Sequence, residues 1–475
     1  MQSTAQHTLS LEEAVTMGQS QSLYYQRLKN SFEKSYWRYN NFQALFKPKI
    51  RLNATIPTFY RAIIPITQPD GSIQFHRVSQ ANNSVGLNLV QNVGFLGGSV
   101  VAGTSLRRTD NFSGSESSYF LSTPIQFSYQ QSSLLYNDFS WEKKIEPVLF
   151  ELAKKEYTEE MESLALEIAE LFFNAIQWQR SVDIAISNLS YSDTLLKISR
   201  ERAKIGSVSK TDVLQLELNS LNAKKRLNEL LVTYQSANRT LKKYLNIPQS
   251  DSLVLIVPTL GSTINISYEV ALEQAMLNRK NITNFEFQRL IADKELAKAK
   301  GQNSIELSLL ANIGTQQSAA SLGNAYKNLQ NQQYIGLTVD IPISDWGYRK
   351  SQIRMAKRDR ELVDLDVEQD LQNLEQEIYL QVLNFNQQIS NLMISLKAES
   401  LAQERLAMSR ERYLMGKVGI VDLNLALQEN INAKEQVLNS IKSYWISFYT
   451  IRKLTLFDFV KQLPIKYTPT LNLTN

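Results

Sequence analysis

The sequence predicts an α+β membrane protein in two internal repeats: a transmembrane β-barrel shared between protomers, joined to long antiparallel coiled-coil helices. Three observations predict it. Landmark residues recur in the same order in the two halves, one block of them at a constant offset. Inside each half the hydrophobic period switches from helical to two-residue and back to helical. The strands of one chain are too few to close a barrel in lipid.

The repeat comes first, because a long internal period dictates the architecture. Arg200-Glu201-Arg202, Gly206, Val208, Asp212 and Asn222-Ala223-Lys224 match Arg410-Glu411-Arg412, Gly416, Val418, Asp422 and Asn432-Ala433-Lys434 at an offset of 210, without a gap. Leu9-Ser10, Glu12 and Ala14 match Ile266-Ser267, Glu269 and Ala271. Asp138 with Lys143 matches Asp345 with Lys350. The chain therefore divides into a first repeat, residues 1–256, and a second, residues 257–475.

Ser10 and Glu13 form a capping box that opens a helix running to about Leu45, ended by Pro48. Period two follows. Ile50, Leu52, Ala54 and Ile56 alternate with Arg51, Asn53 and Thr55, and the pattern returns at Val85–Leu89 and Ile125–Gln130. Gly94–Gly98 and Ser99–Arg107 read as an extra hairpin, so this half has two to four strands, between about 50 and 136. In the second half Ile305–Ile313 and Ile335–Ile341 alternate likewise, giving two strands within about 305–342.

After Lys143 and after Arg349 the period becomes helical for about 55–65 residues, or roughly 80–100 Å. The stripes are Leu164, Ile168, Leu171, Ala175, Trp178, Val182, Ala185 and Leu189, and Leu371, Leu374, Ile378, Phe385, Ile389, Leu392 and Leu396. Each helix breaks at its glycine, Gly206 or Gly416. Each then resumes, through Ala223, Leu227, Leu230, Tyr234, Ala237 and Leu241, or through Leu423, Ala426, Asn430, Ala433, Val437 and Tyr444. Each half thus holds an antiparallel helical hairpin with its tip at the glycine.

Composition removes most chemistry. The chain has no cysteine and only two histidines, His7 and His76. Thiolate catalysis, disulfides, cysteine zinc sites and a histidine-based metal or catalytic constellation are excluded. There is no P-loop, GxGxxG, HExxH or nucleophile elbow. The expectation is no enzyme, no cofactor and no metal. A net charge of +5 is too mild to imply nucleic acid. No stretch has the 18 or so apolar residues of a spanning helix. Met1–Thr8 lack the basic and apolar regions of a signal peptide, which fits either a cytoplasmic chain or one beginning after a removed signal.

A sheet apolar on one face and polar on the other is half of a soluble sandwich or part of a membrane barrel. Aromatics near strand ends (Phe59, Tyr60, Phe75, Phe120, Tyr136, Phe139 and Trp141, then Tyr334, Trp346 and Tyr348) suit an interfacial girdle. Arg51, Glu306 and Asp340 on the polar faces would not suit a dry core. Four to six strands do not close a membrane barrel, and lipid does not tolerate open edges, so several copies must share one.

The order helix, strands, long helical hairpin, given twice, resembles the TolC-type outer membrane efflux proteins. Tyr413-x-x-Gly416, Asp422 and Asn432-Ala433-Lys434 are similar to that family's second hairpin tip. Pro342-Ile343-Ser344-Asp345-Trp346-Gly347 with Arg349 resembles the end of its last strand, and Pro48-Lys49-Ile50-x-Leu52 the start of its first. The resemblance spans Ser10 to about Leu456. It implies a homotrimeric channel-tunnel in the outer membrane of a Gram-negative bacterium, extending into the periplasm, with the signal peptide removed. Its tip would meet a periplasmic adaptor and, through it, an inner-membrane pump, and its barrel would meet outer membrane lipid. The function implied is the exit duct of a tripartite efflux pump or a type I secretion system, exporting drugs or proteins. The family's usual four strands per chain give 12 per trimer; the longer first-half strand region makes 18 the other count. Ala203 stands where the second repeat has Tyr413, so the two tips differ.

On this reading Gly206, Ser207, Val208, Asp212, Gly416, Lys417, Val418, Gly419 and Asp422 form the adaptor-docking tips. Glycine permits the reversal, and the aspartates suit helix starts. Glu404 and Glu411 are candidate gate residues. Arg51, Asn53, Glu306 and Asp340 are expected in the barrel lumen. The basic pairs Lys143-Lys144 and Arg349-Lys350, at helix starts where positive charge is unfavourable, are expected to meet anionic head groups. The competing class is a soluble coiled-coil scaffold or adaptor protein, which explains the heptads but not the strands.

Overall fold

The computed structural model describes residues 6–112, 118–258, 264–341 and 343–469; Pro342 lies outside them. The chain begins with β1 (Gln6–Leu9), α1 (Leu11–Gln21) and α2 (Leu23–Leu45), then β2 (Lys49–Thr67), β3 (Ile73–Val93), β4 (Gly98–Asn111) and β5 (Ser118–Gln131). The helices α3 (Asp138–Lys204) and α4 (Lys210–Tyr244) follow, then β6 (Ser252–Leu255), α5 (Tyr268–Asn278) and α6 (Lys280–Gln302). The rest is β7 (Glu306–Ala319), β8 (Gln330–Asp340), α7 (Tyr348–Leu414), α8 (Ile420–Thr455), β9 (Phe457–Asp458) and β10 (Leu463–Pro464). Helices α1 and α5 both have 11 residues, α2 and α6 both 23, and α3 and α7 both 67.

The expected single helix from Ser10 to Leu45 is two. The capping box is present, with Ser10 Oγ accepting from Glu13 N and Glu13 reaching back to Ser10 N. The helix then breaks at Ser22, whose backbone is extended (ψ 154°) and whose hydroxyl accepts from Tyr25 N, starting α2. The same break occurs at Arg279 (ψ 148°), between α5 and α6. There a buried guanidinium lies 3.3 Å from Glu377 and 3.7 Å from the buried Glu159. The repeats share the backbone break and fill it with different chemistry.

The chain forms two compact units, each drawing on both repeats. One comprises residues 1–34, 152–283 and 369–475. Its core is the coiled-coil stripe: Leu164, Ile168, Ala175, Val182, Leu374, Ile378, Phe385 and Leu392 are buried. Leu396 departs from the expected stripe and is exposed; Ser395 is buried in its stead. Asn430 sits buried on the stripe, where one polar residue specifies register at some cost in stability. Two short pairings that the alternation did not reveal belong here, β1 parallel to β6 and β9 antiparallel to β10. The segment after α8 is tied down by charge. Glu162, fully buried, receives both Nε and Nη2 of Arg452 at 3.1 Å and the Tyr467 hydroxyl at 2.7 Å. Arg452 also reaches Asp458 at 3.3 Å. Burial pushes the Tyr467 phenol well above its usual pKa.

The other unit, residues 35–151 and 284–368, holds one six-stranded sheet in the order β2-β3-β4-β5-β7-β8, every neighbouring pair antiparallel. The first half supplies four strands and the second two, the upper end of the expected range. β2 and β3 stay paired out to Thr67 opposite Ile73, past the end of β4 at Asn111 opposite Gln80. Pro57 lies in the β2 bulge between Thr55 and Thr58, as an edge strand permits. The helical ends in this unit pack through aromatics, with Tyr39 stacked on Phe150 at 4.7 Å, and through the pair Arg38–Glu146 at 2.9 Å.

Arg452→Met strips the buried Glu162 of its main counter-charge. Breaking one side of such a pair costs about 3–5 kcal/mol. The expected result is a lower unfolding midpoint and protease cleavage after α8, read by thermal denaturation and limited proteolysis.

Candidate functional site

The two helical tips are built alike from the backbone upward. Gly206 has φ +75° and Gly416 φ +73°. At the first tip Gly206 N donates to Ala203 O and Ser207 N to Arg202 O; at the second Gly416 N donates to Tyr413 O and Lys417 N to Arg412 O. These are paired Schellman caps, which satisfy the last helical carbonyls and need a left-handed residue. A Cβ at either glycine would meet nothing within 4 Å, so the requirement is conformational rather than steric. The returning helices start differently. Ser209 caps α4 by accepting from Asp212 N at 3.1 Å, whereas Gly419 caps α8 without a side chain. Asp212 and Asp422 both lie in first turns, where an acid suits the helix dipole.

The tips join through a shared core: Leu195, Leu196, Leu216, Tyr413, Ile420 and Leu423, with Val418 packed against it. The Tyr413 hydroxyl lies 3.0 Å from Ser199 Oγ on the other hairpin, and both residues are buried. This accounts for the difference between the repeats. The second repeat's tyrosine packs into this shared core, and the first repeat has Ala203 at the equivalent position. Asn219 donates to Asn424 at 3.2 Å, a second bond between hairpins. Gly206, Ser207, Gly416, Lys417 and Gly419 are exposed, and Val208 is half-buried. Beside them the sequence reading missed Ile205 and Met415, which are exposed at equivalent positions. The offset of 210 that relates the tips also relates these two, and an apolar pair there was its only sign. Glu404 and Glu411 are exposed on α7, ahead of the tip.

The sheet has two unlike faces. One register row runs Arg51–Asn88–Gly103–Gln126–Gly314–Gln332, polar side chains and glycines only. The adjacent row begins Ile50–Leu89–Ala102–Phe127–Ile313, and Leu52, Leu87, Ala311, Ile335 and Leu337 extend it on the same face. Arg51, Asn53, Glu306 and Asp340, the expected lumen residues, all alternate onto the polar face. In the single chain the apolar face is bare: Leu52 is 73% exposed, Ile335 80% and Phe127 51%. That is far more contiguous apolar surface than water tolerates. The described residues contain only two other sheets, both two-stranded and both in the other unit, so the sandwich alternative lacks its partner sheet.

Phe59 and Phe120 lie on the apolar face near one end, with Phe59 6.1 Å from Phe112 and Arg108 over the Phe120 ring at 5.8 Å. Tyr129 lies on that face toward the other end. Tyr60 and Tyr334 are corrections to the expected girdle, because pairing with Gln80 and Asn312 puts them on the polar face. After β8, Ile343 and Trp346 are almost wholly exposed. Asp345 caps α7: Arg349 N and Gly347 N donate to its carboxylate at 2.9 and 3.0 Å and hold its pKa below the usual range. The basic pairs mostly have partners within the chain. Lys143 lies over Phe46, Lys144 over Trp141, and Arg349 donates to Ser304 O.

Comparison with known proteins agrees with these features. Residues 271–455 match the family described as outer membrane efflux protein. The toxin and drug export protein A of Aggregatibacter actinomycetemcomitans is 19% identical over 323 residues, 64% of this chain and 69% of that one. The Campylobacter jejuni CmeC outer membrane channel has a similar fold, with TM-score 0.69 and 15% identity over 97% of this chain and 87% of its own. The Neisseria gonorrhoeae MtrE outer membrane channel has TM-score 0.64 and 15% identity over 97% and 91%.

Tyr413→Phe keeps the packing and removes one hydrogen bond. It should cost about 1 kcal/mol, and Tyr413→Ala about 3–5 kcal/mol, measured by thermal unfolding in detergent.

Proposed function

We propose that this outer membrane efflux protein of the TolC type works as a homotrimeric exit duct, passing drugs or proteins outward without catalysing a reaction. Its place is the Gram-negative outer membrane. One observation carries the reading: a six-stranded sheet with a polar face, a face that is apolar on every strand in the half where β2 starts and β8 ends, and two edges unpaired among the described residues. The apolar face meets lipid and the polar face lines water. Six strands cannot close alone, and three copies give 18. The coiled-coil hairpins of the three copies then form the periplasmic tunnel.

The tips dock a periplasmic adaptor, which links the duct to an inner-membrane pump. Exposed Ile205 and Met415, beside the exposed loops at Gly206–Val208 and Gly416–Gly419, offer the apolar contact such docking needs. The export of toxins and drugs named for the Aggregatibacter relative supports cargo of those classes, through a tripartite pump or a type I secretion system. A soluble coiled-coil scaffold would leave the apolar sheet face in water.

Electron microscopy of the protein in nanodiscs should find a threefold particle with a short membrane-embedded end and a long hollow stem. A monomer soluble without detergent contradicts the reading. Gly416→Val, strained at φ +73°, should abolish export while the trimer still assembles; unimpaired export removes the tip from the docking role. Glu404→Gln and Glu411→Gln should change single-channel conductance and cation selectivity if either residue rings the constriction. An unchanged channel removes that residue as a gate.

A further inference from the structure

On the polar face, in the half of the sheet where β2 starts and β8 ends, charge is divided by sign between the two edges. Lys49 and Arg51 lie on β2. Glu306 and Asp340 lie directly opposite each other on β7 and β8. The strands between carry uncharged residues there, such as Asn88, Gly103, Gln126 and Ser128. Two carboxylates facing across a strand pair repel each other unless a cation joins them. Their own chain cannot supply Lys49 or Arg51. β2 and β7 are four strand spacings apart in the sheet order, about 19 Å at about 4.8 Å each. None of the four residues has an ion-pair partner among the described residues.

The register says what a second copy would bring to this edge. The row that starts at Lys49 passes Val90, Val101, Ser128 and Asn312 and arrives at Tyr334. Tyr334 is six residues short of Asp340, where β8 ends. Six residues of stagger over five strand steps is a tilt of about 40°, at about 3.3 Å per residue and about 4.8 Å per strand. Membrane barrels tilt by about 35–45°. At that tilt Lys49 and Asp340 come to one height. An even number of strands also leaves β2 and β8 running in opposite directions, so a β8–β2 junction between copies is antiparallel like every other pair. Asp340 can oppose only a residue of its own face. At that height the choices are Lys49 and Arg51, which correspond to overall tilts of about 35° and about 43°. Either register sets the acid against a base.

We infer that the barrel closes through an ion-paired seam, with Asp340, and Glu306 behind it, facing Arg51 and Lys49 of a second copy, and that this seam fixes the register of closure. The inference rests on the shared barrel proposed above. A one-residue slip would turn the lipid face inward, so a register lock has a clear use at the one junction that no turn constrains. The seam also keeps all six strands in the wall. Eighteen strands at about 40° give a backbone cylinder about 36 Å across, against about 24 Å for twelve. Neutralised pairs, rather than a ring of bare carboxylates, then line its inner end.

The cysteine-free chain allows a direct test. Thr338→Cys with Asn53→Cys cross-links neighbouring copies if Asp340 opposes Arg51; Thr338→Cys with Arg51→Cys does so if it opposes Lys49. One of these pairs should give disulfide-linked trimer in native membranes. Lys49→Glu with Arg51→Glu should reduce the detergent-resistant trimer about tenfold. Adding Glu306→Lys and Asp340→Lys should restore it. Cross-linking without rescue by the fourfold swap overturns the ionic seam and leaves the shared barrel standing. Absence of covalent oligomer with both cysteine pairs overturns the shared barrel itself.

Discussion

A strand edge in lipid has nothing to bond to. Each unpaired N–H and C=O in hydrocarbon costs several kcal/mol, and that constraint organises this protein. The sheet is apolar on one face across all six strands, so it belongs in lipid, and among the described residues its order ends at two open edges. The chain therefore carries an unfinished element, and the proposed duct completes it with further copies of the same chain. Direction, stagger and charge at the two edges are mutually consistent with that completion. The bulge at Pro57 divides the pairing of β2 with β3 into two regular stretches, Lys49 to Thr55 and Thr58 to Thr67.

The helical unit obeys a different economy. Its stripes bury Leu, Ile, Phe and Ala, and its tips are closed by two identical backbone caps. Duplication supplies two similar hairpins, and small departures from identity make them fit each other. Tyr413 against Ala203, Ser209 against Gly419 and Ser22 against Arg279 are places where the repeats share a backbone and differ in side chain. In the first of these the difference is the contact itself, a tyrosine from one hairpin bonded to a serine of the other.

The sequence disclosed what periodicity encodes. Alternation located β2, β3, β5, β7 and β8, the Gly94–Gly98 turn pointed to a hairpin at β4, the heptad stripes located α3 and α7, and the glycines marked both tips. The polar-face positions of Arg51, Asn53, Glu306 and Asp340 were legible because the side-chain period of a strand is two. Features set by single residues were not. The breaks at Ser22 and Arg279 interrupt stretches that read as continuous helix, since serine and arginine carry no strong breaker signal. The bulge at Pro57 reverses parity along β2, so Phe59 turns outward and Tyr60 inward. The clasp of Glu162 by Arg452 and Tyr467 joins residues about 300 positions apart, and local pattern cannot report it. The assignment of these elements to a membrane duct came from their order and duplication; the bare apolar sheet face then gave it a physical basis.

Amide hydrogen exchange of the assembled protein tests the central claim most directly. If the edges are closed by other copies, the amides of β2 from Lys49 to Thr55 and of β8 exchange as slowly as those of the central strand β4. If those two strands exchange freely while β4 stays protected, the edges are open and the account is wrong.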